Sequence, residues 1–327
     1  MLFRSLAMAE EPQAPSSARL GAEAGEYDDG LSAFAGVRPR LFGIAYRMLG
    51  SASEAEDVVQ DVWLRWQSSN RKAVEHPPAF LATTTTRICI NLAQSAQKRH
   101  ETYVGTWLPE PVDTSTDPGL GAERSEALKL AVLLLLEKLS PTERAAYVLR
   151  EAFDYSYDQI ASILQMEEAN VRQLVSRARK HIVDGRRKSV SSNEQRRLLE
   201  AFVTAAQKGD MAALEELLAE DVVAYADGGG LVRAAGVPVS GRERVTAYVE
   251  AVSKYIWKGV SVDFVEVNGQ AAVLVSRDGV PATLGTIDAS AQGIDQIMWF
   301  LRPSKLTAVS KSGQDLSEGH APGPAEA

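Results

Sequence analysis

A single cysteine, Cys89, stands in a chain of 327 residues. That excludes an internal disulfide and any cysteine-rich zinc site. Histidine is nearly as scarce: there are four, and none falls between residues 193 and 305. Long hydrophobic runs are missing as well. Leu130 to Leu136 is apolar but stops at Glu137-Lys138, well short of the roughly 20 residues a membrane helix needs. The start, Met1-Leu2-Phe3-Arg4, lacks a signal-peptide core, and Met8 is an alternative initiator. The triple glycine at 228–230 is not followed by Lys-Ser/Thr, so it does not form a phosphate loop. These absences point away from secreted, membrane, metal and cofactor-bound classes and fit a reducing, cytoplasmic setting. What remains is an ordinary globular composition, 45% hydrophobic, with a length that predicts two or three domains.

The net charge of -8 is unevenly spread. Residues 31–105 carry nine basic and six acidic groups, and residues 125–190 carry eleven and nine. Acidic stretches flank both. Between Glu168 and Val190 the imbalance is local: Arg172, Arg177, Arg179, Lys180, Arg186, Arg187 and Lys188 face only Glu168 and Asp184. A basic cluster in an acidic chain favours a polyanionic partner.

The cluster belongs to a stretch, Ser156 to Lys180, that reads as two short helices around a tight turn. Ser156 and Gln159 form a capping box. Ile160, Ile163 and Leu164 share one face. In the second helix Val171, Leu174, Val175, Ala178 and Ile182 repeat at helical spacing and face a core. Asn170, Arg172, Gln173, Ser176, Arg177 and Lys180 are left outside. These side-chain types bond base edges and phosphates when a helix-turn-helix lays its second helix in the major groove. A solvated helical hairpin is the plainer reading of such a pair, and the one-sided charge is what favours the first.

Upstream, residues 1–30 are rich in Ala, Glu, Gly, Ser and Asp and read as disordered. A helix through Pro39–Leu49 ends at Gly50. Ser53 with Glu56 predicts a capping box for the next helix. That helix buries Val58, Val62, Trp63 and Trp66 and exposes Glu54, Asp57, Gln60, Asp61 and Arg65. A third helix is expected over residues 79–100 despite four consecutive threonines. Its buried stripe is Phe80, Leu81, Thr84, Ile88 and Leu92. Arg87, Asn91, Gln94 and Lys98 share the opposite face, with Arg99 beside them. A linker follows, extended by its prolines: Trp107-Leu108-Pro109-Glu110-Pro111. A tryptophan in such a segment docks on something. Residues 125–139 read as helix, and Ser140-Pro141-Thr142-Glu143 opens another.

Downstream, helices are expected at 193–208, from Asp210 through Leu218, and at 242–255. Strands are expected at 222–225, 260–267, 271–276 and 294–301, with a weaker one at 282–287, and Asn268-Gly269 is a hairpin turn. Helices first and a curved antiparallel sheet after predict an α+β cone. Asp227 and Tyr225 are a candidate acid/base pair. A turn role for Asp227 before Gly228, Gly229 and Gly230 is the plainer reading.

The two helical modules together resemble a bacterial RNA polymerase sigma factor of the extracytoplasmic-function (ECF) type. Arg40-Leu41-Phe42-Gly43-Ile44-Ala45-Tyr46-Arg47-Met48-Leu49-Gly50 and Ala55-Glu56-Asp57-Val58-Val59-Gln60-Asp61-Val62-Trp63 are similar to the start of region 2 in that family. Leu139 to Arg144 and Ser176 to Lys180 are similar to its region 4. The resemblance implies that Asp57, Gln60, Asp61 and Arg65 meet core RNA polymerase. It implies that Arg87, Asn91, Gln94, Lys98 and Arg99 engage the -10 element, and that Asn170, Arg172, Gln173, Ser176, Arg177 and Lys180 read the -35 element. Gln165 and Glu167 depart from the family, which has Gly and Ser or Pro in the turn. The last third resembles a SnoaL-like domain of the NTF2-like superfamily, fused in one group of these factors. Trp107, Leu108, Pro109, Asp227, Gly228, Gly229, Gly230 and Lys305 fall in the motifs this group shares, and are expected to make regulatory contacts.

The implied fold is multidomain: two all-α modules, a region 2 bundle over 31–105 and a region 4 helix-turn-helix over 125–190, then an α+β SnoaL-like cone over 191–306. A linker spans 106–124, and a disordered tail follows 306. The expected partners are core RNA polymerase and promoter DNA, with no membrane, no metal, no catalytic residue and no cofactor. A small-molecule ligand in the C-terminal domain stays open, as does an anti-sigma partner. A SnoaL-like enzyme fused to a DNA-binding module is the alternative.

Overall fold

The computed structural model describes residues 30–101, 103, 105–114, 128–185, 187–230, 234–306 and 309, with the helix backbone alone over 96–101. The disorder expected for the two ends, the middle of the linker, the helix start at 125–127 and Arg186 lie outside the described residues.

The first module is built mainly on α1 (Arg38–Leu49), α2 (Ala52–Ser68) and α3 (Pro77–Glu101), with a further helical turn over residues 30–35 and a 3-10 turn at Arg71–Ala73. Gly50 ends α1 in the left-handed conformation (φ 67°), its N–H returning to the Tyr46 carbonyl. The cap of α2 is Ser51, which accepts from the Glu54 N–H, and not the expected Ser53. Ser51 is extended (φ -129°, ψ 124°) and leaves Gly50 already aimed at the next helix. In α3 the four threonines turn their hydroxyls back to carbonyls four residues earlier, from Ala79 to Ala82. That local bonding satisfies them inside a helix. The buried stripe ends on Ala93, not on Leu92, which is 37% exposed. Successive turns at 3.6 residues rotate the face by one position over this length.

The second module holds α4 (Leu130–Leu136), α5 (Pro141–Glu151), α6 (Tyr157–Leu164) and α7 (Glu168–Asp184). Both expected capping boxes, Ser140 with Glu143 and Ser156 with Gln159, are formed. Gln165 sits left-handed (φ 54°) in the turn between α6 and α7. A glycine there would relieve about 1 kcal/mol.

The last module opens with α8 (Ser192–Lys208) and α9 (Met211–Leu217), then β1 (Leu218–Asp227), a short β2 (Val239–Ser240) and α10 (Arg242–Ile256). Four strands follow: β3 (Ser261–Val267), β4 (Gln270–Arg277), β5 (Val280–Ser290) and β6 (Gly293–Phe300). The sheet order is β2-β1-β6-β5-β4-β3. It is not wholly antiparallel as expected: β1 and β6 run parallel. The meander from β3 to β6 is antiparallel throughout, but α10 crosses over before it and returns β6 beside β1 in the same sense. The weak strand at 282–287 is a full eleven-residue strand, and β2 was not expected.

Strand alternation gives the sheet two buried faces. One packs on α8 and α10 through Leu198, Phe202, Val245, Val273, Ile287 and Trp299. Trp299 fills the space over Gly285, where an added Cβ would lie 2.3 Å from its ring. The opposite face, carrying Val267, Leu274, Leu284 and Phe300, joins a single core that runs through Leu108 and Val112 into Leu41, Tyr46, Leu128 and Leu149. The modules expected to fold separately therefore share one interior. Leu108 is the reason: fully buried, it ties the linker to both sides and contributes about 2 kcal/mol.

Candidate functional site

The linker is the thread on which the site is strung. Glu110 places its carboxylate on the N-terminus of α2, accepting from Ala52 N (2.8 Å) and Ser51 Oγ (3.0 Å), while its own N–H donates to Gly50 O (2.7 Å). An anion there meets unpaired N–H groups and the positive end of the helix dipole. Trp107 lies against Gly50, where an added Cβ would come within 2.7 Å of the indole. Glycine is needed here twice over, for the positive φ and for the ring.

Asp227, at the end of β1, is completely buried and collects four donors. Lys305 Nζ (2.7 Å), Tyr103 Oη (2.7 Å), Leu108 N (3.1 Å) and Gly229 N (3.1 Å) all point at its carboxylate. Lys305 also donates to the Leu108 carbonyl and sits over the Trp107 ring, 4.9 Å from its centre. Burial holds the Lys305 pKa below the ordinary lysine value, and Asp227 opposes that shift. Burial raises the Tyr103 pKa, and its bond to Asp227 raises it further. Gly229 (φ 59°) packs against Arg302 and Tyr103, and Gly230 is left-handed too (φ 71°). Gly228, between them and Asp227, is buried. The Tyr225 hydroxyl makes none of these bonds, so the carboxylate that an acid/base pair would need is spent on the linker.

A second knot lies at the β3–β4 turn. Asn268, also fully buried, donates from Nδ2 to Tyr46 Oη (2.8 Å) and to Leu128 O (2.9 Å), and accepts from Val112 N (3.0 Å). Tyr46 Oη in turn donates to Glu110 O (2.6 Å).

The helical modules also touch directly. Arg144 of α5, 4% exposed, donates to Met48 O and to Glu137, each at 2.6 Å. Arg40 reaches Phe153 O (2.7 Å), and the Arg47 guanidinium lies over the Phe153 ring. Arg87 Nε donates to Ile163 O (3.2 Å) at the end of α6.

The remaining sequence-picked residues fall on three surfaces. Asp57, Gln60, Asp61 and Arg65 are exposed along α2. Beside Asp57 and Gln60 is a groove lined by Leu31, Phe34, Arg38 and Trp63, and Leu31 is half exposed. Asn91 and Gln94 are exposed on α3 with Arg87, whereas the side chains of Lys98 and Arg99 lie outside what is described. Asn170, Arg172, Gln173, Ser176, Arg177 and Lys180 are all exposed on α7. Two of these have partners. Arg172 pairs with Glu168 and stacks on Tyr157 (4.3 Å), and Arg177 pairs with Glu143 (3.2 Å). The Glu143 pKa is lowered, first by its bond from Ser140 and then by Arg177. Glu168 occupies the first turn of α7, where the dipole favours it.

Comparison with known proteins matches this layout. The Sigma-70 region 2 family matches residues 33–99, the Sigma-70 region 4 family residues 129–182, and the SnoaL-like domain family residues 199–300. The ECF RNA polymerase sigma factor SigJ of Mycobacterium tuberculosis is 35% identical over 228 residues, 67% of this chain and 72% of SigJ. The chain belongs to the ECF family of RNA polymerase sigma factors. The probable ECF sigma factor SigI of the same species is 29% identical over 285 residues, 86% of this chain and 96% of its own. The crystal structure of SigJ aligns with a TM-score of 0.71 at 30% identity, covering 85% of this chain and 98% of that one.

As a sigma factor the protein directs RNA polymerase to promoters and starts transcription there, and its last module has the SnoaL-like fold. Among the described residues no helix is long and apolar enough to cross a membrane. Sequence reasoning found the linker tryptophan and Asp227 in this sigma factor but passed over Glu110, Tyr46, Tyr103, Asn268 and Arg144. Glu110 could have been suspected, as a lone carboxylate between two prolines. Asn268 looked like any residue of an Asn-Gly turn.

Proposed function

We propose that this sigma factor holds its two DNA-reading modules docked on the SnoaL-like domain, and that undocking precedes promoter engagement. Asp57, Gln60, Asp61 and Arg65 bind core polymerase. Arg87, Asn91 and Gln94, with Lys98 and Arg99, engage the -10 element. Asn170, Arg172, Gln173, Ser176, Arg177 and Lys180 read the -35 element. Asp227, Gly228, Gly229, Gly230 and Lys305 restrain the linker at Trp107, Leu108 and Pro109.

One observation carries this reading. The Arg87 guanidinium lies 3.2 Å from the Ile163 carbonyl, so the -10 helix touches the first helix of the helix-turn-helix. A -10 and a -35 element, about 25 base pairs apart by their positions, are more than two turns of duplex from each other, roughly 80 Å. The docked arrangement cannot grip both. Beside its apolar core the seam carries several buried ionic groups, which regain hydration when it opens.

Run-off transcription with core polymerase tests it. The full chain is expected to give promoter-dependent transcripts, and Asp227→Ala is expected to change their yield without changing the start site. No transcript from any promoter recovered by genomic selection would sink the promoter role. Equal yields from both proteins would sink the restraint.

Arg177→Ala is expected to weaken binding to the -35 element by about 1–3 kcal/mol if the guanidinium reads a base. The exposed pair with Glu143 offsets little of that, since such pairs contribute under about 1 kcal/mol. Fluorescence anisotropy on matched and scrambled -35 duplexes checks this. A loss equal on both duplexes would reassign Arg177 to the phosphates.

A further inference from the structure

We infer that Asn268 is the positioning residue through which the SnoaL-like domain sets the distance between the two DNA-reading modules. The inference rests on the restraint proposed above and names the side chain that carries it.

Asn268 opens the two-residue turn between β3 and β4, with φ 53°. The turn needs only a residue that tolerates a positive φ, and glycine or aspartate would serve as well as asparagine. The side chain answers a different need. Both Nδ2 hydrogens are used, one on Tyr46 Oη in the first module and one on Leu128 O at the threshold of α4 in the second. Oδ1 takes the Val112 N–H of the linker, and the Asn268 N–H donates to Val112 O (2.9 Å). One primary amide therefore joins three segments that lie 222, 140 and 156 residues away in sequence. It is completely buried, so water cannot replace a bond that is lost.

The neighbours of Asn268 reinforce the same tip. Gly269 N donates to Thr114 Oγ1 (2.9 Å), Thr114 donates to Glu266 (3.1 Å), and Asp113 forms a bridge with Val267. From Tyr46 the chain of bonds continues through Glu110 O to the residue whose carboxylate caps α2. The exposed face of α2 holds the acidic residues assigned to polymerase. Domain docking and the helix assigned to polymerase are thus joined through the Asn268 amide, the Tyr46 hydroxyl and Glu110.

Two substitutions separate the side chain from the turn. Asn268→Gly keeps the positive φ and removes the amide. Asn268→Asp keeps the acceptor for Val112 but sets a carboxylate against the Leu128 carbonyl, which can donate nothing. In both, the docked state loses population, and the apparent affinity for a two-element promoter rises with the competent fraction.

The test uses the full chain with dyes on cysteines introduced at Ser68 and Val183, both exposed positions; the native Cys89 is buried. Single-molecule energy transfer reads the distance between modules, and anisotropy reads affinity for promoter duplex. Each Asn268 variant is expected to lengthen the distance and to raise affinity about fivefold or more. Tyr46→Phe removes the same bond from its other end, together with the bond to Glu110 O, with the turn untouched, and is expected to move both readouts the same way. If the Asn268 variants fold and neither readout changes, the inference falls. If they do not fold, an unchanged Tyr46→Phe overturns it. Asp227→Ala serves as the reference: a response there with none at Asn268 defeats this inference alone, and no response at either defeats the restraint with it.

Discussion

Asp227→Ala should destabilise the chain by about 3–5 kcal/mol. The carboxylate is fully buried and its lysine is 9% exposed, so removing it strands a charge with no water to receive it. Tyr103 Oη and the Leu108 N–H lose their acceptor at the same step. The ion pair itself is worth far less than that figure, because both charges were desolvated to make it. Asp227→Ala/Lys305→Met is therefore expected to recover most of the loss, with an apolar stem in place of the orphaned ammonium. Urea unfolding of both variants decides the point. A midpoint unchanged by Asp227→Ala would mean that the cluster is open to solvent. The pH dependence has a definite sign. Burial already lowers the Lys305 pKa, and Asp227 is among the groups holding it up. Without Asp227 the native value falls further below the unfolded one, so the variant gains stability as pH rises toward the ordinary lysine value of about 10.4. The gap between wild type and variant should narrow with alkalinity.

Local order was legible because each helix announces itself with neighbouring residues. Ser140 and Glu143, Ser156 and Gln159, and Gly50 act within one turn of chain, and the structure uses each as the spacing implies. The misplacement at Ser53 has the same root. Two serines two residues apart offer equally good caps, and the choice of Ser51 is tied to Gly50 and to Glu110, a residue 59 positions downstream of Ser51. Propensity argued mildly against a helix through the four threonines. Hydroxyl-to-carbonyl bonds and packing on α1 overrode it.

What escaped the sequence is what lies between modules. Alternation along β4 and β5 shows that both faces are apolar, with Ala272 and Leu274 on one and Val273 and Val275 on the other. It does not say that helices α8 and α10 cover one face while the linker and the other modules cover the second. The same limit hid the parallel pairing of β1 with β6, which depends on the route of the chain and not on either strand. Asn268 and Arg144 were invisible for a related reason. Their roles are set by acceptors more than ninety residues away, Tyr46 and Met48, that no periodicity connects to them. Asp227 was found only because three glycines and a shared motif marked it.

Arg144 gives the other large effect. Its guanidinium bridges Met48 O, near the end of α1, and Glu137, after α4, so it closes the seam between the two DNA-reading modules from the second side. Arg144→Met keeps the stem that fills the seam and deletes only the charge. The loss should be about 2–3 kcal/mol, below that for Asp227, since Glu137 keeps 16% exposure and can recover some hydration. Arg144→Lys should recover part of the loss, because both bonds leave one nitrogen, Nη1, and an ammonium can donate to two acceptors from a single point. Pairing Arg144→Met with Glu137→Gln in a double-mutant cycle under urea isolates the contact, and the sum of the single effects should exceed the combined one. Strict additivity would show that Glu137 is not the partner that matters. Retention of wild-type stability by Arg144→Met would show the seam to be wet at this point and the modules to be held by the SnoaL-like domain and the remaining direct contacts, those of Arg40 and Arg87 among them. The two routes differ in what opens them. Asn268 and Asp227 tie the SnoaL-like domain to the linker and the first module, whereas Arg144 ties the two helical modules to each other, so under the proposed undocking Arg144 yields only when those modules part.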